Sequence, residues 1–440
     1  MNKHLTKVSS IIDEISMGPF GSDIKVENFV NDGVPVLNGS NLTGFKLKED
    51  AFKYVTIEKA KTFKKAIAKR GDIVITHRGT LGQIAFIPDN SKFDEYVISQ
   101  SQFRVALNRK MVDPAFFVYF FHTSEGQKRL LANKCHVGVP ALAQATTNFK
   151  LVEIPLPNLT TQQQIASVLS SLDSKIELNN RINAELESMA KTLYDYWFVQ
   201  FDFPNAEGKP YKSSGGKIVW SDDLKRNIPE GWKVFDLDKI EKNIVTGKTP
   251  STSNKNYFNG DIPFICIGDV RGNMHITKTE MTLSKEGAKM QANKYIPKGA
   301  ICVTCIASPG LVGFTTKDSQ TNQQLNSIVC NSIENRYYLY FYLIDYFKYA
   351  KAKTGNTFAN MNKGDFSSIK VLKPHKEILI SFSNVLDSSI NKILNNSIEN
   401  QQLTSLRDWL LSMLMNGQVK VGDEERYMLV AAEPRIEYGK

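Results

Sequence analysis

The sequence predicts an α/β (α+β) protein with two domains in tandem, separated by two long antiparallel coiled-coil helices, the whole forming an internal repeat with a pseudo-two-fold axis. Three observations predict this: a heptad pattern over about 160–198, a second such stretch 217 positions later, and strand-and-loop motifs that recur 228 or 229 positions apart. They divide the chain into an α/β domain at 1–157, a long helix at 158–200, a connector at 201–229, a second α/β domain at 230–373, a long helix at 374–417 and a tail at 418–440.

The first rod carries Ile165, Leu172, Asn179, Leu186 and Leu193 at intervals of seven, with Leu169, Ile176, Ala190 and Trp197 four residues behind. Neither Gly nor Pro interrupts it, and at 1.5 Å per residue roughly forty residues make a helix on the order of 60 Å long. Thr161 with Gln164 predicts a capping-box start. A polar residue within a seam costs stability and specifies register, so Asn179 predicts a defined partner helix. That partner lies in the same chain. A displacement of 217 sets Ile165 on Phe382, Asn179 on Asn396, Leu186 on Leu403, Met189 on Leu406 and Leu193 on Leu410.

The domains repeat as well. Gly18 falls on Gly247, the PVL of Pro35 to Leu37 on the PFI of Pro263 to Ile265, and GDIVITHRGTLG from Gly71 on GAICVTCIASPG from Gly299. Further along, Gly138 pairs with Gly355 and Phe149 with Phe366. In the first copy IDEISM, VPVL, GDIVIT and QIAF read as strands, and 115–132 as one helix with an aromatic core face. The Gly/Ser/Lys/Pro-rich stretch 201–229 reads as an extended linker.

No apolar run is long enough to span a bilayer, and five cysteines, a small odd number, predict a reduced, cytoplasmic setting. The net charge of +10 favours an anionic partner, nucleic acid first. No Gly-rich nucleotide loop of the G-x-x-x-x-G-K-[ST] or G-x-G-x-x-G kind occurs, nor the motifs a methyltransferase needs, so no catalytic residue is assigned. Cys302 and Cys305 form a single CxxC inside an apolar strand, which predicts buried thiols and no metal site.

Binding chemistry remains. In the first domain Lys46, Lys48, Lys53, Arg78, Arg104, Lys128, Arg129 and Lys134 fall at strand-end loops, with His77 beside Arg78; in the second, Lys248, Lys255, Arg271, Lys289, Lys294 and Lys363 do. Interleaved are groups able to read base edges or stack: Asn38, Asn41, Gln100, Gln102, Gln144, Tyr257, Gln323, Gln324, Asn360 and Asn362. A different class, a protein scaffold with two α/β binding modules on a coiled-coil spacer, fits the same pattern and would lack steep salt dependence of DNA affinity.

Over residues 1–417 the order GPFGSDI with VPVLNGSNL, GDIVITHRGTLG and IPLPNLTTQQQIASVLSSLDSKIELNN, echoed by TGKTPST, NGDIPFICIGDV and GAICVTCIASPG, resembles the specificity subunit of a type I restriction-modification system. The resemblance implies two target recognition domains, each binding one half of an asymmetric bipartite site in double-stranded DNA, with the rods setting the gap between halves. It also implies two modification subunits that carry S-adenosylmethionine and methylate adenine N6. Restriction subunits using ATP and Mg would cut the DNA, and this prokaryotic, nucleoid-associated chain would hold no cofactor of its own. The second rod begins HKEILISF and departs from the Pro-Leu-x-x-Gln-Gln entry of the first.

Overall fold

The computed structural model describes residues 5–19, 21, 23–135, 139–354 and 360–421. Phe20 and Ser22 of the first loop motif, the Gly138–Gly355 pairing and the tail beyond Val421 lie outside the described residues. The chain divides into two units, the first Met1–Ser174 with Thr404–Lys440 and the second Lys175–Leu403. Each contains an α/β domain and a stretch of both long helices.

In the first unit a four-stranded sheet runs in the order Ile12–Met17, Gln102–Leu107, Ile73–Thr76, Ile84–Phe86. A five-stranded sheet runs Phe29–Val30, Lys53–Val55, Val34–Val36, Glu95–Val97, Ile67–Lys69. The second unit has a five-stranded sheet, Asn243–Thr246, Leu325–Val329, Ile301–Thr304, Val312–Thr315, His275–Ile276, and a three-stranded one, Met281–Leu283, Phe258–Ile265, Gln320–Thr321.

The duplication is written into the strand registers. Ile73 faces Phe86 and Ile75 faces Ile84; 228 positions on, Ile301 faces Phe314 and Val303 faces Val312. Val36 faces Lys53, and Phe264 faces Met281 at the same displacement. The next strand follows 223 positions on, with Ile73 against Val105 and Ile301 against Ile328. A slip of one residue would exchange buried and exposed faces, so matched registers on this many strands mean one fold used twice. Glycine is required at the same turns. Gly71 and Gly299 sit at φ +86° and +85°, and a Cβ on Gly18 or Gly247 would come within 2.0 Å of the Ser99 or Asn322 carbonyl oxygen.

Both rods are helices, Leu159–Tyr194 (the central helix, closed by a π-helical turn at Asp195–Val199) and Lys376–Asn416 (the C-terminal helix). The first starts on a different cap from the one expected. The Asn158 side chain accepts from the Thr161 N–H at 2.8 Å, so Asn158 and not Thr161 caps it. Gln162 is buried, donating to the Met111 and Pro157 carbonyls and accepting from the Asp113 N–H, which ties the helix to the first domain.

Within the second unit the two helices run antiparallel with a buried amide layer between them. Asn179 donates to Asn400 at 3.0 Å and Asn396 to Asn183 at 2.8 Å. Asn396 and Asn400 stand 217 positions beyond Asn179 and Asn183, so the two bonds are a locally two-fold pair. Asn183 to Ser397 and Asn400 to Asn180 form a second such pair. Glu399, which accepts from Asn179 and pairs with Lys175, breaks the symmetry. Ala190, Tyr194, Trp197 and Phe198 pack with Phe382, Leu386, Ile390 and Ile393 in the second unit's core. In the first unit Ile165, Ala166 and Leu169 share a core with Leu411, Leu414 and Met415, and Arg407 pairs with Asp173 at 2.8 Å. Among the seam positions Ile165, Asn179, Phe382 and Asn396 are buried; Leu172, Leu186, Leu193, Leu403 and Leu410 are half-buried, and Met189 and Leu406 face outward.

Two further expectations change. The helix expected at 115–132 is two, Pro114–His122 and Ser124–Leu130, because Thr123 turns extended and its hydroxyl caps the second through the Gly126 N–H. The connector 201–229 is folded. Phe201 and Phe203 are buried against Trp232, and Ile218–Ser221 pairs with Arg226–Pro229 as a hairpin. Aromatic burial outweighs the Gly- and Ser-rich composition there.

Candidate nucleic-acid interface

In the first unit three loops meet at the end of the four-stranded sheet. The His77 N–H donates to the Ser101 carbonyl at 2.9 Å, the Leu142 N–H to the His77 carbonyl at 2.8 Å and the Gly79 N–H to the Pro140 carbonyl at 2.9 Å. His77 Nε2 lies 3.1 Å from the Gln100 carbonyl oxygen. Burial, with a smaller contribution from the Arg78 charge, holds the His77 pKa below its ordinary value, so near neutral pH the ring is uncharged. Arg78, Gln100, Lys134 and Gln144 are exposed around this cluster. Gln144, at φ +43°, precedes the helix Ala145–Leu151. On the flank of the same domain a cleft of about 410 Å³ is lined by Asn38, Lys53, Ser99 and Gln100 among apolar residues.

The second unit gathers the equivalent loops. Cys305 takes the place of His77, its N–H donating to the Gln324 carbonyl at 2.8 Å and its carbonyl accepting from the Met361 N–H at 2.9 Å. Asn360 accepts from the Ala307 N–H at 3.3 Å, Thr249 donates to Gln323 at 2.5 Å, and Arg271 reaches Ser308 at 3.3 Å. Lys248, Arg271, Gln323 and Asn360 are exposed, Gln324 half-buried. Lys255, Tyr257 and Lys289 lie together on the three-stranded lobe, where Tyr257 accepts from Ser284 just before the helix Lys285–Lys289. Asn362 caps the helix Lys363–Ser367, and Lys363 borders a separate cleft with Asp236 and Asp238, whose carboxylates oppose an anion.

Three residues expected at the surface are interior. Asn41 is 0% exposed, donating to the Lys48 and Asp50 carbonyls and accepting from the Asn38 N–H. Gln102 is 0% exposed and accepts from the Ser99 N–H. Arg104, 7% exposed, binds Asp72 at 3.0 Å, Glu14 at 2.5 Å and the Lys65 carbonyl. Asn41 and Arg104 spend their donors inside the protein, as a buried amide or guanidinium must, while Gln102 is held through its Oε1. Lys46 is half-buried on a strand bridge to Phe86, Lys48 pairs with Asp50, and Arg129 with Glu125. Ser99, Thr249 and Ser308, absent from the sequence-derived set, border the same loops: Ser99 lines the cleft, and Thr249 and Ser308 bond Gln323 and Arg271.

Cys302 and Cys305 are buried, and burial raises both thiol pKa values, to about 12 and about 11. Among the described residues no group of three His, Cys, Asp or Glu side chains is placed to hold a metal, and no helix is long and apolar enough to cross a membrane.

The geometry defines one domain fold used in duplicate, each copy presenting equivalent loops with different side chains. The chain belongs to the type I restriction-modification specificity subunits. The family description "Type I restriction modification DNA specificity domain" matches residues 21–188 and again 229–406, giving two tandem specificity domains. The chain is 34% identical over 409 residues to the type I restriction enzyme HindI specificity subunit of Haemophilus influenzae, over 81% of this chain and 88% of that one. It is 24% identical over 425 residues to the MjaIX specificity subunit of Methanocaldococcus jannaschii, over 93% and 92%. The crystal structure of the S subunit of a type I restriction-modification system from M. genitalium shares the fold, with a TM-score of 0.54 at 16% identity, covering 94% of this chain and 96% of that one.

Proposed function

We propose that each unit reads one half of an asymmetric, bipartite site in double-stranded DNA, and that the helix pair sets the unread gap between the halves. The observation that carries this is the register-for-register duplication, with equivalent loops bearing His77 and Gln100 in one copy and Cys305 and Gln323 in the other. Exposed Lys and Arg supply affinity and position through phosphates, while amides and selected cations discriminate base edges. Catalysis belongs to partners in this reading. Two modification subunits carrying S-adenosylmethionine methylate adenine N6, and restriction subunits using ATP and Mg cleave, all within the prokaryotic cytoplasm at the nucleoid.

The test is methylation of a random DNA library by the chain assembled with its modification subunits. Two half-sites at a constant gap are expected, and inserting about four residues into both long helices should lengthen the gap while leaving the half-sites intact. A single contiguous site, or a gap indifferent to the insertion, would refute the reading.

A further inference from the structure

Where the strand registers coincide, two pairs of positions differ in what they can offer a ligand. Lys53 faces Val36 in the first unit; its counterpart 228 positions on is Met281, facing Phe264. One residue beyond Leu37 stands Asn38, whose counterpart is Cys266. Both Asn38 and Cys266 open a short helical turn with the same box: the Asn38 N–H donates to Asn41 at 3.0 Å and the Cys266 N–H to Asp269 at 2.7 Å. The backbone is therefore common, and the difference lies in what the side chains offer: an ammonium and an amide against a thioether and a thiol.

Lys53 and Asn38 line the same cleft in the first unit. The Lys53 ammonium lies 4.8 Å from the centroid of the Phe29 ring, which orients it while leaving its N–H donors free, and the side chain is exposed. Asn38 Oδ1 is already used: it accepts from the Ser40 N–H at 2.8 Å and the Ser40 hydroxyl at 2.6 Å. Asn38 thus has only its Nδ2 donors left to offer. An amide reading adenine needs both a donor and an acceptor, whereas guanine presents two acceptors, O6 and N7, in the major groove. A cleft that offers only donors at these two residues matches guanine.

Resting on the bipartite reading above, we propose that Lys53, assisted by Asn38, reads a guanine in the half-site bound by the first unit, and that the second unit, with Met281 and Cys266, makes no such contact at the equivalent position.

The assay is methylation of the same random library by the assembled complex carrying Lys53→Met, Asn38→Cys or, in the second unit, Met281→Lys. Lys53→Met should relax one guanine of one half-site by roughly ten- to hundred-fold, the range of a good base-edge pair. Asn38→Cys should weaken preference at that same guanine, and Met281→Lys should add a guanine preference to the other half. A Lys53→Met protein that loses affinity for all sequences alike, with a salt slope lower by about one, would show a phosphate contact and overturn the proposal. So would unaltered specificity in both Lys53→Met and Met281→Lys. Changes in both half-sites from Lys53→Met alone would overturn the bipartite reading itself.

Discussion

The two units keep the same strand registers but stabilise them with different chemistry. The first sets an ionic cluster across its sheet, the buried Arg104 and Asp72 joined by an exposed Glu14. At the equivalent positions the second has Ser327, Ala300 and Asn243, and Ser327 donates instead to the Cys302 sulfur at 3.6 Å. The second in turn buries His275 where the first has Leu47. A duplicated frame thus tolerates charged or neutral interiors while the loop positions stay fixed, so the copies are free to diverge at their binding faces without loss of fold.

The largest expected effect separates these interiors. Arg104→Met strands a buried Asp72 carboxylate and should destabilise the first unit by about 3–5 kcal/mol, whereas Glu14→Asn, Asp72→Ala and Arg104→Ser together should cost less. Thermal unfolding checks the order, and a triple variant less stable than the single would break the comparison.

Next is acid sensitivity in the second unit. Burial depresses the His275 pKa to about 4, so the folded state resists a proton that the unfolded chain accepts near pH 6.5. The associated stability is full above pH 6.5 and is lost as pH falls toward 4, up to about 3 kcal/mol. His275→Leu, which installs the residue type of the first unit, should flatten this loss in denaturant titrations at pH 7 and pH 5. An unchanged slope would contradict the buried, neutral histidine.

A smaller effect concerns the amide layer. Asn396→Ala leaves Asn183 without its donor and should cost about 1–3 kcal/mol by the same denaturant measurement, with Asn179→Ala comparable because its bond to Asn400 is the two-fold equivalent. Smallest is Thr123→Ala, which removes a helix cap present only in the first unit, where the second has one unbroken helix, Asn335–Thr354. About 1 kcal/mol is expected.

The repeat was legible in the sequence because insertions fall in loops and leave long ungapped stretches at constant displacement. The partner helix could be read in the same way, since seam residues recur every seven positions whatever covers them. Which polar residues face outward could not be read. Asn41, Gln102 and Arg104 sit among loop residues like true surface groups, and only the fold shows that Asn41 and Arg104 donate to Lys48, Asp72 and their neighbours while Gln102 accepts from the Ser99 N–H inside the protein. The cap at Asn158 and the break at Thr123 are single side-chain hydrogen bonds that compete with equally good candidates nearby. The connector misled because Phe201, Phe203 and Trp232 find one another only in three dimensions.

The most direct measurement is the methylation footprint of a complex whose second unit alone carries Arg271→Ala, Gln323→Ala and Asn360→Ala. One half-site should lose its sequence preference while the other half and the gap between them stay as in the unaltered protein. Loss of preference in both halves together would contradict two independent readers on one duplicated frame.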